Sequence, residues 1–105
     1  MAQKIRVCAE GEITDGGYKV LPLKEPIAIF NLGGDYFAID DYCTHERCSL
    51  TQEGYVIDDE VECGWHCAKF SIRTGEVTAP PATKNLKTYN VLVDNSEIFV
   101  LVPDE

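Results

Sequence analysis

The sequence predicts an all-β protein, a small antiparallel sandwich or barrel. Three observations carry that expectation. Short segments rich in β-branched and aromatic residues recur along the chain, and clusters of Gly, Asn and Asp separate them. No window of a dozen residues repeats its apolar side chains at the 3.6-residue period of a helix.

The segments are taken in chain order. KIRVC (4–8), YKVLPL (18–23), IAIFNL (27–32) and YFAID (36–40) read as strands of the first part. VEC (61–63), KFSI (69–72), LKTYNVLV (86–93) and EIFVLV (97–102) read as strands of the second. Asp15-Gly16-Gly17, Gly33-Gly34-Asp35 and Asp94-Asn95-Ser96 carry hairpin-turn chemistry. A chain of 105 residues fits one domain, 1–105. Residues 1–41 and 82–105 read as a regular β scaffold, whereas 42–81 is richer in Gly, Cys, His and Pro and poorer in alternation. That middle segment reads as a loop-rich insert, where chemistry tends to reside.

Forty-five per cent apolar and 26% charged residues describe an ordinary globular chain. Net charge is −9, and it is unevenly placed: Asp40 to His66 hold eight acids against one base, Arg47. Such a field excludes nucleic acid and anionic membrane as partners and steers a basic protein. The opening MAQKIRVCAEGEIT has no apolar core of a signal peptide. The longest apolar runs, PIAIF and IFVLVP, fall far short of the roughly 20 residues that span a bilayer. The expected location is the cytoplasm, where five cysteines read as metal ligands or spare thiols before disulfides. The expected oligomeric state is a monomer.

Both histidines and four of the five cysteines fall within 43–67. Cys43 pairs with His45 and Cys63 with His66, and the 17 residues from Glu46 to Glu62 separate the pairs. Unconnected surface or core residues would rarely place each of only two histidines within three residues of a cysteine. Two cysteines and two histidines also make a tetrahedral zinc set. Zinc fingers, however, group cysteines at one end and histidines at the other. An iron–sulfur centre with two thiolates on one iron and two imidazoles on the other, the Rieske arrangement, gives the alternation a geometric reason. Each loop then lends one ligand to each iron.

C-T-H-x17-C-x-x-H, followed by Phe70, Thr74-Gly75 and Pro80-Pro81, closely resembles the Rieske [2Fe–2S] ferredoxins of bacterial multicomponent aromatic-ring dioxygenases, the biphenyl and naphthalene type. The resemblance covers almost the whole chain. It implies that Cys43 and Cys63 bind the buried iron and His45 and His66 the outer one, with Pro80-Pro81 covering the cluster from a third side. The chain departs from the family pattern at Gly64, where Pro is usual, and at Cys67, where Gly, Gln or Met is commoner.

High-potential relatives carry a disulfide between the two cluster loops. One partner falls at Cys48, but the other falls at Trp65, so the matched bridge is absent. A shifted Cys48–Cys67 bridge is the alternative to two free thiols, and a reducing compartment favours the thiols. Those relatives also carry hydroxyls where this chain has Ala68 and Phe70. Donors toward a cluster sulfur stabilise the added electron, so their absence implies a midpoint of roughly −150 mV, the bottom of the Rieske range. Trp65 reads as loop packing ahead of a docking anchor, and Cys8 and Tyr42 as core. Arg47, Lys69, Arg73, Lys84 and Lys87 read as solvated charges ahead of a counterweight to the acidic field.

With both histidines on the cluster, none remains for a 2-His-1-carboxylate oxygenase iron, and no nucleotide-binding glycine motif is present. The resemblance therefore implies a low-potential one-electron carrier rather than an enzyme. It would take electrons from a flavin-dependent ferredoxin reductase. It would deliver them to a terminal Rieske non-haem iron oxygenase by transient docking near His45 and His66. The alternatives are a Rieske-like small subunit of an assimilatory nitrite reductase and a zinc-stabilised interaction module.

Overall fold

The computed structural model describes residues 2–44, 48–64, 68–80 and 82–103. Among these residues, ten strands fall into two antiparallel sheets. The larger holds β1 (Ala2–Ala9), β2 (Tyr18–Leu21), β3 (Ile27–Leu32), β4 (Asp35–Asp40), β9 (Thr88–Asp94) and β10 (Glu97–Pro103), in the order β1-β10-β9-β4-β3-β2. The smaller is a meander of β5 (Tyr55–Ile57), β6 (Glu60–Glu62), β7 (Lys69–Ser71) and β8 (Val77–Ala79). A single helical turn, α1 (Leu50–Glu53), precedes β5.

Turn chemistry fixes the register where hairpins form. Leu32 pairs with Asp35 across Gly33-Gly34, both at positive φ, which is the two-residue connection that matches strand twist. Asp94 pairs with Glu97 across Asn95 and Ser96, at φ 51° and 63°. Asp15-Gly16-Gly17 is different. Its flanking strands pair elsewhere, β1 with β10 and β2 with β3, so it joins no hairpin. Instead it packs on β3: the Gly16 amide donates to the Asn31 carbonyl at 2.8 Å and the Asn31 amide to the Gly17 carbonyl at 3.1 Å. Segment 42–81, expected to be loop-rich, holds the whole smaller sheet and α1. Its strands are only three residues long, too short to show alternation.

Strand β3 is buried on both faces and so divides the interior in two. Ile27 and Ile29 join Cys8, Ile13, Ala38, Ile98 and Val100 in one core, within the larger sheet. Ala28 and Phe30 turn the other way and meet Val61 and Phe70 of the smaller sheet, together with Ile39, Leu50 and Ile72. Burying a side chain of this size stabilises the fold by about 1.5–3 kcal/mol. Phe30 against Val61 and Phe70, all fully buried, therefore seats the smaller sheet on β3–β4. Cys8 is core, as its sequence context suggests, whereas Tyr42 is only partly buried.

Candidate metal centre

Strand β4 ends at Asp40 and leads through Asp41 and Tyr42 to Cys43, which is buried in the core shared with Phe30, Val61 and Phe70. Asp41, 3% exposed, organises the loop from Tyr42 to α1. Its carboxyl accepts from the Ser49 hydroxyl at 2.6 Å and from the Thr51 amide at 2.9 Å, and its carbonyl accepts from the Leu50 amide at 2.6 Å. Ser49 in turn caps α1, accepting from the Gln52 amide at 3.2 Å. These bonds bring residue 49 back beside residue 42, where Tyr42 and Ser49 form a bridge. The loop between them closes on itself: the Cys43 amide donates to the Cys48 carbonyl at 3.0 Å.

Strand β6 does the same for the second loop. The Cys63 amide donates to the Ala68 carbonyl at 2.7 Å, after which β7 begins. Both loops thus run from a cysteine to the fifth residue beyond it, with the same amide-to-carbonyl closure. Cys43 and Cys63 are 4% and 0% exposed and lie in one core with Cys48, Ala68 and Phe70. His45 and His66, the expected imidazole ligands, lie outside the described residues, as do Arg47, Trp65, Cys67 and Pro81.

A third segment leans on the first loop. The Thr44 hydroxyl donates to the Lys84 carbonyl at 2.7 Å, and Ala82 and Leu86 are buried in the same core. The second loop also meets the end of α1 through backbone. A β-carbon at Gly64 would collide with the Glu53 carbonyl oxygen, and one at Gly54 with that of Glu62. Gly64 is the site of the departure from the Pro of the family pattern, and this contact supplies its reason.

Cys48 is a free thiol with no solvent exposure. The thiol donates to the Ser49 carbonyl oxygen, with Sγ and O 3.8 Å apart. Burial first, then the Cys63 hydrogen bond and the negative charge of Cys63, Cys43 and Glu53, push it up to about 12. Two of the basic residues do more than face solvent. Lys69 lies 3.7 Å from Glu62 and Arg73 3.4 Å from Asp59, so part of the acidic run is offset.

Sequence reasoning passed over Asp41 and α1. The legible signal was Ser49-Leu50-Thr51-Gln52, the spacing of a capping box.

The chain matches the Rieske [2Fe–2S] domain model over residues 3–90. It is 42% identical over 100 residues to the 3-phenylpropionate/cinnamic acid dioxygenase ferredoxin subunit of Photorhabdus laumondii, covering 94% of each chain. It is 38% identical over 96 residues to the biphenyl dioxygenase ferredoxin subunit of a Pseudomonas species, covering 90% of this chain and 88% of the other. Among solved structures it superposes on a chain from the complex of reduced oxygenase and oxidised ferredoxin in carbazole 1,9a-dioxygenase. That match has TM-score 0.88, 28% identity and 97% coverage of both chains. The chain belongs to the Rieske [2Fe–2S] domain family. Within it, the similar proteins are ferredoxin subunits, electron-carrying components rather than catalysts.

The group this family implies is a Rieske-type [2Fe–2S] cluster. The described residues fit it: two buried thiols head two matching closed loops on a shared apolar floor.

Proposed function

We propose that this chain is a soluble, cytoplasmic one-electron carrier of an aromatic-ring dioxygenase system. Cys43 and Cys63 hold one iron of the cluster as thiolates, and His45 and His66 hold the other as neutral imidazoles. When bound, the cluster supplies a single reversible one-electron couple near the bottom of the Rieske potential range. The chain's own residues do the rest. Asp41, Ser49 and the two loop closures hold the thiolates in place, and Phe30, Val61 and Phe70 exclude water from beneath them. The carrier takes its electron from a flavin-dependent ferredoxin reductase and delivers it to a terminal Rieske non-haem iron oxygenase. Docking is transient and occurs near His45 and His66.

The observation that carries this reading is the matched pair of closed loops headed by Cys43 and Cys63 in one core. The relatives named as dioxygenase ferredoxin subunits favour this role over a nitrite reductase subunit or a zinc module. The test is a reconstituted turnover with NADH, the reductase and oxygenase of a biphenyl-type system, and this chain. Product should require the chain, and its rate should fall as salt rises, because the −9 chain is steered electrostatically. Product formed equally well without it, or stable co-purification with a sirohaem subunit, would overturn the reading.

A further inference from the structure

Among the described residues five large hydrophobic side chains stand exposed, and the two most exposed, Tyr55 at 63% and Ile57 at 53%, sit on one three-residue strand, β5. Alternation along the strand places them together. Val56 packs on the core that holds Phe30 and Phe70, so Tyr55 and Ile57 share the outer face of the smaller sheet. The register sets Glu62 beside Tyr55 and Glu60 beside Ile57, and Lys69 and Ser71 of β7 continue the two rows. The chain from Glu53 to Glu62 holds five acids and no base. Lys69 lies 3.7 Å from Glu62 and Arg73 3.4 Å from Asp59, which offsets two of the five. The face therefore combines a hydrophobic centre with an acidic rim.

We propose that the outer face of β5 and β6 is a docking surface for a redox partner protein that presents Lys or Arg side chains around an apolar patch. The proposal rests on the carrier reading. It adds to the contact near the histidines a sheet face that adjoins the second cysteine loop, because Glu62 directly precedes Cys63 and Lys69 directly follows Ala68. An exposed aromatic and aliphatic pair inside a charged rim matches the anatomy of a protein interface. Charge then selects the occupant. A second copy docked on this face by a two-fold axis would set the acids of one copy against the same acids of the other. Nucleic acid and anionic membrane are repelled by the same field. A basic protein surface covers Tyr55 and Ile57 and pairs with the rim at once.

The test follows the two electron-transfer steps separately, with the loaded chain and the reductase and oxygenase of a biphenyl-type system. In the double variant Tyr55→Ser/Ile57→Ser, KM for the chain should rise about tenfold in at least one step, as loss of an interface anchor does. Its kcat, midpoint potential and Tm should stay at the wild-type values, because both side chains lie outside the core. Glu60→Lys should raise the same KM and flatten its dependence on salt. An unchanged KM in both steps, or a loss confined to kcat, would overturn the proposal. So would a concentration-dependent dimer in sedimentation velocity that the double variant abolishes, since a second copy would then be the occupant. Failure of the carrier reading looks different: the wild-type chain itself would pass no electrons in either step, and the proposal would fall with it.

Discussion

The α-carbon of Gly64 lies so close to the carbonyl oxygen of Glu53 that no β-carbon fits between them. Gly64 follows Cys63 and Glu53 ends α1, so this contact ties the second cysteine loop to α1 through backbone alone. Gly64→Ala should push the loop and α1 apart at a cost of about 1–3 kcal/mol, typical of overpacking. Gly64→Pro, which restores the family pattern, should be no better tolerated here. Thermal unfolding and iron content per chain would show it, and an unchanged Tm with full loading would contradict it.

Asp41 is the second tie. Removing its carboxyl leaves the Thr51 amide and the Ser49 hydroxyl without their partner. Asp41→Ala should cost about 3 kcal/mol, since bonds to charged groups are worth more than neutral ones. Asp41→Asn keeps one acceptor and should lose less. Urea midpoints of the two variants against wild type give the order directly, and equal losses would show that the paired acceptors are not the cause.

One residue earlier, Asp40 makes a prediction of opposite sign. Burial pushes its carboxyl above the ordinary value of 3.8, against the Tyr89 hydroxyl that donates to it at 2.6 Å and the attraction of Lys87. With a raised folded value, the folded chain holds that proton more tightly than the unfolded chain. Stability from this group is therefore full below its ordinary value and is lost as pH rises through the raised one. Asp40→Asn, which keeps an acceptor for Tyr89, should raise Tm by a few degrees near pH 7 and leave it unchanged near pH 3. A Tm gain that did not depend on pH would exclude ionisation as the cause.

Ala68 is wholly buried and its carbonyl closes the Cys63 loop. Ala68 shares its core with Cys43 and Cys63, so on the proposed ligand set a hydroxyl from Ala68→Ser should donate toward a ligand sulfur and raise the midpoint potential. A redox titration of the variant showing no upward shift would count against missing donors as the reason for a low potential.

Much of the fold could be read from the residues. IAIFNL coincides with β3, and the turns at Gly33-Gly34 and Asn95-Ser96 are hairpins because their residues adopt the left-handed conformation that such turns need. Strands β5 and β8 were not legible: they are the edges of the smaller sheet and bury no residue, whereas β6 and β7, equally short, centre on buried Val61 and Phe70. Asp15-Gly16-Gly17 misleads because its turn chemistry serves contact with Asn31, not the pairing of β1 with β2. At the site, the cysteine and histidine spacing was explicit, whereas the tie from Asp41 to Ser49 and Thr51 and the place of Cys48 beside Cys63 are products of tertiary packing.

The most direct test of the central claim is stepwise anaerobic reduction of the purified chain, with its EPR spectrum tracked against applied potential. A rhombic Rieske signal appearing only at clearly negative potential is the predicted result. A colourless protein with zinc, no acid-labile sulfide and no signal at any potential would contradict it.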